Sequence, residues 1–462
     1  MTGVQTCALP ISALKTWLDS LDKSCGCTVV RLDGGDEMQG TPISNFTNGR
    51  ATIETLNGLG LDAAAIGNHE FDWSVDTLRA RMQEAHYRFV SANITDSLGT
   101  ARPDWAEPWT LIQRGGIKVA VIGLTTTSTP TTTAPRNVRG LAFEDGARAV
   151  RRALPRARAA ADFVIVVAHA GAACDSGRCQ GEILDVARGL DSGSVNLIVA
   201  GHTHRVLSTR VNGIPIVEAG SSGQAIAIAD FVRHGSRGIE VRVQIDTPYV
   251  DKVTPNVELT SVVDRYQRNV ETLTSRAVGS VRFALDREGP EYALGRLIAD
   301  AFRTIARADV SIVNNGGIRT GLPAGAVSFG DMYQVLPFQN RLVTLRVKGA
   351  VIRQALEHAV DGAAPDAHVS GLEVWYDPRH RVGHRITKVK LANGRDLSSG
   401  ATYTLAVGDF LAAGGSGYAM LKPFPVTDVG ITDLDAVLRY LTILRQPVDA
   451  PRDSRFHAAG SR

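Results

Sequence analysis

The chain has 462 residues, with 50 Lys and Arg against 47 Asp and Glu and a net charge of +3. That length favours two domains, each with its own core. An apolar share of 44% and a charged share of 21% suit a globular protein. The near balance of charge and the lack of a long basic run give no support to nucleic acid or an anionic membrane as partner. No window approaches the roughly 18 apolar residues of a spanning helix.

The opening MTGVQTCALPIS has no Lys or Arg and only a short apolar part, so it reads as neither a signal peptide nor a span. SALKTWLDSL and SVDTLRARMQEA have helical periodicity. Between and after them, TVVRL (28–32), DAAAIG (62–67), KVAVIGL (118–124), DFVIVVAH (162–169) and VNLIVAGH (195–202) read as buried strands. This alternation predicts a layered α/β domain. TTTSTPTTTAP (125–135) reads as a loop by composition. IPIVEAG, AIAIADFV and IEVRVQI then close the first domain, 12–250, with antiparallel strands. The stretch 251–277 reads as a linker helix, and a second α/β unit follows over 278–440. The remainder, 441–462, reads as a tail whose polar end PRDSRFHAAGSR frays.

Of the five cysteines, Cys25 and Cys27 stand too close together for an easy bridge. Cys174 and Cys179, in HAGAACDSGRCQG, either close a short loop, which would indicate an oxidising compartment, or remain free thiols.

Four first-domain strands end alike. RLDGGDE places Asp36 past one strand, AAAIGNHEFD places Asn68 and His69 past the next, VIVVAHAG ends in His169, and LIVAGHTH in His202 and His204. Ligand groups collect at the carboxyl ends of strands in α/β sheets. Each residue alone has a plainer reading: Asp36 a glycine turn, Asn68 a turn residue, His169 a core histidine, GHTH a surface turn. Together they make a donor set suited to zinc-, manganese- or iron-type divalent ions. Two such ions about 3.5–4 Å apart suit in-line displacement at phosphorus.

These motifs, LDGGDEMQGT, GNHEFDW, VAHAG and GHTH, with IVNNGGIR, VLPFQN and DFLAAGGSGY further on, resemble the binuclear metallophosphatases of the 5′-nucleotidase and UDP-sugar hydrolase family over about residues 12–440. The resemblance implies a four-layer α/β/β/α metallophosphatase domain joined by a helix to a C-terminal α/β substrate-binding domain. It also implies two divalent metal ions, a nucleotide substrate, a periplasmic or extracellular location, and a monomer or homodimer. Asp36 is similar to the bridging carboxylate, Asn68, His169 and His202 to ligands of one metal, and His204 to a ligand of the second. His69 resembles the catalytic histidine and Asp72 its orienting partner, although Asp72 also suits the N-cap of the helix that follows. Asn314, Arg319, Phe338, Asn340, Phe410 and, with a looser match, Arg287 fall on substrate-binding positions. Without the motifs, Arg319 would read as a surface ion-pair residue and the two phenylalanines as core. One departure stands out: where the family has GGDG, this chain has GGSG, with Ser416 in place of the charged residue. Cleavage of 2′,3′-cyclic or 3′-nucleotides or of UDP-sugars therefore stays open beside 5′-nucleotidase action. A thiosulfate-releasing sulfur-ester hydrolase and a catalytically dead nucleotide binder remain further alternatives. The resemblance also implies that the second domain rotates to carry substrate, with the helix near 257–275 as hinge.

The family's first strand ends in an Asp-x-His motif that supplies two ligands to the second metal, and residues 1–35 contain no match to it. Residues 1–11 instead match the translation of a sequencing-adapter string, VTGVQTCALPI with its first codon read as Met. The expectation is a non-native start joined at about Ser12, one metal site left incomplete, and weak or absent activity. Restoring an upstream Asp-x-His strand should raise both bound manganese per chain and turnover. Equal values in the two forms would contradict the expectation.

Overall fold

The structure, a computed structural model, describes residues 11–175, 178–234, 238–247, 253–362 and 364–460. Residues 1–10 of the expected non-native start lie outside them. Two compact units result, Met1–Gln39 with Ile43–Asn269, and Val270–Arg462 with Gly40–Pro42. The division falls inside the helix Val257–Thr274.

In the first unit, two sheets are sandwiched between helices. One sheet runs Leu32–Asp33, Ala63–Ala65, Arg88–Val90, all parallel. The other has six strands in the order Val206–Val211, Ile214–Ala219, Leu197–Ala200, Phe163–His169, Ile117–Thr125, Trp109–Arg114. Its four inner strands are parallel and its two edges antiparallel. Strand alternation distributes the side chains over the layers. Ala63, Ala65, Val119, Val121, Ile165 and Val167 fill the space between the sheets. Their neighbours Ala120, Ile122, Val164 and Val166 pack on the helices Gly146–Ala160 and Glu182–Arg188. Ala64 and Ile66 pack on Ile53, Leu56 and Leu78 of the helices Arg50–Leu59 and Val75–Glu84. The order is helix, sheet, sheet, helix.

The second unit is built on a five-stranded mixed sheet: Ala367–Ser370, Val310–Asn314, Thr402–Gly408, Arg341–Lys348, Val426–Thr432. The helices Ala293–Ile305 and Asp433–Ile443 cover one face. Gly349–Ala359 covers the other.

Several expectations change. TVVRL shrinks to a strand of Leu32–Asp33. The Thr/Pro-rich loop holds a helical turn at Thr129–Thr132 and a 3-10 turn at Pro135–Val138. Cys25 is bonded to Cys27. The helix Ile11–Cys25 stops there and Gly26 turns with φ +58°, which brings the two Cα atoms to 5.1 Å, within reach of a bridge. Cys174 and Cys179 face each other across a hairpin and are bonded. The tail does not fray as expected, because Phe456–Ala458 adds a parallel strand beside Leu372–Tyr376. Phe456 is buried there, and Arg455 makes a two-pronged bond to Asp300 at 2.8 and 2.9 Å. Replacing Phe456 with Ala should cost the C-terminal unit about 3 kcal/mol. An unchanged urea midpoint would show the strand to be dispensable.

Candidate functional site

The first unit gathers Asp36, Asn68, His69, His169 and His202 from strand ends of both sheets. Two backbone approaches make this possible. A side chain at Gly34 would meet Ala200 O at 3.2 Å, and one at Gly201 would meet Gly34 O at 2.9 Å, so only glycine lets these loops touch. The ligand loops also adopt left-handed backbone at non-glycine residues, with φ of +66° at Asp36, +78° at His202 and +56° at His204. Each such residue costs about 1 kcal/mol or more, which surrounding contacts must offset.

His169 is the hub. Its Nδ1 donates to Gly34 O at 2.8 Å, which turns Nε2 toward the cluster. Around Nε2 stand Asp36 Oδ2 at 3.0 Å, Asn68 Oδ1 at 3.1 Å and His202 Nδ1 at 3.1 Å. Asn68 is oriented by its own amide, which donates to Thr132 O at 3.2 Å. Asp36, His169 and His202 each offer a ligand atom within 4.8 Å of the others. Three acceptor-type atoms thus crowd a fourth, an arrangement that one proton on Nε2 cannot satisfy but a cation can. The donor set therefore fits a divalent metal ion. Electrostatics agree. Burial alone would raise the Asp36 carboxyl, but His169 and His69 hold it well below the usual range. Burial, then the neighbouring His169, pushes His202 down to about 4, so its ring stays neutral and able to ligate. His204 follows on the same loop and is exposed.

His69 stands beside this cluster, its Nε2 4.0 Å from Asp36 Oδ2 and its backbone N–H donating to Asp36 Oδ1 at 2.8 Å. Its Nδ1 meets Asp72 Oδ2 at 2.8 Å. Asp72 is not the helix cap, because Ser74 accepts from Thr77 N at 3.1 Å and takes that position. Instead Thr133 Oγ1 donates to Asp72 Oδ1 at 2.8 Å, and Asn137 Nδ2 donates to Asp72 O at 2.7 Å. Thr133 lies in the segment that composition marks only as loop, and Asn137 in the 3-10 turn at its end. Nothing local in the sequence signals their role.

Glu70 is the residue that sequence reading passed over. It is fully buried, and its carboxylate accepts from Gly67 N at 2.6 Å, Asp36 N at 3.0 Å, Glu37 N at 2.7 Å and Met38 N at 3.2 Å. It therefore ties the Asp36 loop to the Asn68–His69 loop. Burial, then the nearby Asp36 carboxylate, pushes it up to about 7. Its only sequence signal is its place inside GNHE.

In the second unit, Asn314 Nδ2 donates to Ser416 Oγ at 3.1 Å. Ser416 has φ +50°, and its carbonyl accepts from His358 Nε2 at 2.7 Å. Phe410 packs on Gly415 beside it. The Arg319 guanidinium sits 5.6 Å from the Phe338 ring centre, and Arg287 donates to Arg319 O at 3.2 Å. Asn340 differs from the rest, because its side-chain amide donates to Asp433 Oδ2 at 3.1 Å.

Comparison with known proteins joins the two halves. Residues 270–423 match the family model of the 5′-nucleotidase C-terminal domain, and residues 10–217 match that of the bacterial capsule synthesis protein PGA_cap. The chain is 27% identical over 494 residues to protein UshA of Yersinia enterocolitica, covering 95% of this chain and 88% of that one. A solved 5′-nucleotidase precursor from Thermus thermophilus has a TM-score of 0.87 at 25% identity, covering 98% of this chain and 94% of that one. Over nearly its whole length the chain is similar to 5′-nucleotidases, and residues 270–423 match that family's C-terminal domain. Endonuclease YhcR of Bacillus subtilis is 30% identical over 454 residues, 93% of this chain, but the chain spans only 36% of that relative's length. The family is one of metal-dependent phosphoesterases, in keeping with the donor set at Asp36, His169 and His202. No helix among the described residues is long and apolar enough to cross a membrane.

Asp433, the partner of Asn340, generates a pH test. Burial pushes its carboxyl up to about 7 from the ordinary 3.8. Between those values the unfolded chain has already lost a proton that the folded chain keeps, so stability falls as pH rises through that window. Asp433→Asn should flatten the decline. Urea midpoints compared at about pH 4 and about pH 7 check it, and parallel slopes in the two proteins would refute the assignment.

Proposed function

We propose that this protein is a metal-dependent hydrolase of nucleotide phosphoesters, releasing nucleoside and phosphate. The observation that carries the reading is the convergence of Asp36, Asn68 and His202 on His169 Nε2, beside the His69–Asp72 pair. Asp36, Asn68, His169 and His202 would hold one divalent ion such as manganese or zinc. His204 and Asp36 would contribute to a second. Bound there, divalent ions polarise the phosphate and make a water nucleophilic near neutral pH.

The chain's own groups do the rest. Asn68 would hold the ion through a neutral oxygen, which limits negative charge facing an anionic substrate. Asp72 accepts from His69 Nδ1 and fixes the ring, whose Nε2 lies 4.0 Å from Asp36 Oδ2, where it would stabilise charge on the phosphate and protonate the leaving oxygen. Thr133 and Asn137 hold Asp72 in place. Phe338 and Phe410 offer aromatic faces for a base, at about 1–3 kcal/mol per stacked face. Arg319 and Arg287 supply cationic donors, and Asn314, Asn340 and Ser416 supply polar contacts. Ser416 is neutral, which suits a hydrogen bond to a sugar hydroxyl without charge. UDP-sugars and 2′,3′-cyclic nucleotides therefore belong in the substrate panel. The bonded Cys174–Cys179 pair and the family support a periplasmic or extracellular location, and a monomer or homodimer is the assembly proposed.

Hydrolysis of AMP, UDP-glucose and 2′,3′-cyclic AMP, followed as inorganic phosphate, UMP and 3′-AMP in turn, with and without manganese, tests the reading. Metal-dependent hydrolysis of at least one of them is expected, and none by a metal-loaded form that carries the upstream Asp-x-His strand would sink the reading. His69→Ala should lower kcat about 10²- to 10⁴-fold while leaving manganese binding intact.

A further inference from the structure

Another buried carboxylate follows the His202–His204 loop in sequence. Glu218 sits in the strand Ile214–Ala219, opposite Leu207, and is only 1% exposed. Thr203 Oγ1 donates to it, 2.8 Å from Oε1 and 2.7 Å from Oε2. Arg205 N donates to Oε1 at 3.2 Å. The backbone N–H groups of Thr203 and of Ala172 donate to it as well. Ala172 belongs to the other loop, three residues past His169. The same Thr203 hydroxyl lies 3.1 Å from Ala172 O. The fit is close enough that a side chain at Gly171 would sit 2.7 Å from Glu218 Oε2.

The bonds fall where the backbone is strained. His202 and His204 both take positive φ, and Thr203 and Arg205, two of the donors to Glu218, alternate with them. A segment in such a conformation persists only when its surroundings over-determine it. A buried carboxylate accepting several N–H and O–H bonds does this, because each broken bond would leave a desolvated charge unpaired.

We infer that Glu218 is a positioning residue: its carboxylate fastens the loop after His169 to the loop bearing His202 and His204, and so sets the spacing of the histidines around a bound cation. The inference rests on the metal-dependent reading above and goes beyond it by naming a residue outside the donor set. Glu218 itself would touch neither metal nor substrate.

The test measures manganese affinity by titration and the visible absorption of the cobalt-substituted full chain, for the parent, Glu218→Ala, Glu218→Gln and Thr203→Val. Groups that orient metal ligands from behind typically change affinity 10- to 100-fold when removed. Glu218→Ala should weaken manganese binding by about that factor and shift the cobalt bands. Glu218→Gln keeps one acceptor oxygen and should fall between Ala and the parent. Thr203→Val retains the carboxylate and loses the hydroxyl bridge, so it supplies the answer if Glu218→Ala does not fold, and a several-fold weakening is expected. A merely structural role would lower the melting temperature without moving affinity or the cobalt spectrum. Unchanged affinity and spectrum in the folded variants overturn the inference while the metal reading stands. A parent that takes up neither manganese nor cobalt overturns both.

Discussion

Acceptor atoms brought close together set the terms for the catalytic unit. An aspartate oxygen, an amide oxygen and two imidazole nitrogens meet within hydrogen-bonding distance, although most of them have no proton to share. Such a cluster is unfavourable by itself. It exists because the surrounding backbone holds it, and a cation would relieve it. The glycine contact between residues 34 and 201, the left-handed turns at Asp36, His202 and His204, and the Gly34 carbonyl that orients His169 all serve this one cluster.

The burden of holding it falls on buried carboxylates that do not join it. Glu70 gathers four backbone N–H groups from the Asp36 and Asn68 loops. Glu218 gathers donors from the His169 and His202 loops. Both are buried and both are pushed up by burial, an effect that the donors around them oppose, joined at Glu70 by the nearby His169. Asp72 does similar work for His69, held in turn by Thr133 and Asn137. The site is thus a set of strand-end ligands in a frame of side chain-to-backbone bonds, and the frame is as specific as the ligands.

The second unit follows other rules. Three of its candidate substrate residues are held by neutral contacts: Asn314 to Ser416, Ser416 to His358, Phe410 on Gly415. Ser416 fits this pattern, since a hydroxyl is easily satisfied by one amide. Asn340, whose amide is engaged by the buried Asp433, couples that region to the helix Asp433–Ile443 rather than leaving it open on all sides.

What the sequence by itself determined is whatever depends on local pattern. Alternation within VIVVAH and KVAVIGL specified buried strands, and strand-end placement specified Asp36, Asn68, His69, His169 and His202, because side-chain direction repeats every two residues along a strand. The paired motifs likewise carried the family and its layered fold. Only the tertiary structure decided what depends on partners distant in the chain. It drew the ligands from two sheets, gave Glu70 its role, took Asp72 away from the helix cap, enlisted Thr133 from a loop and Asn137 from the turn at its end, and turned a polar tail into a strand beside Leu372–Tyr376. A hydrogen bond or a burial event between residues so far apart leaves no periodicity to read. Its energy exists only once the chain has closed on itself.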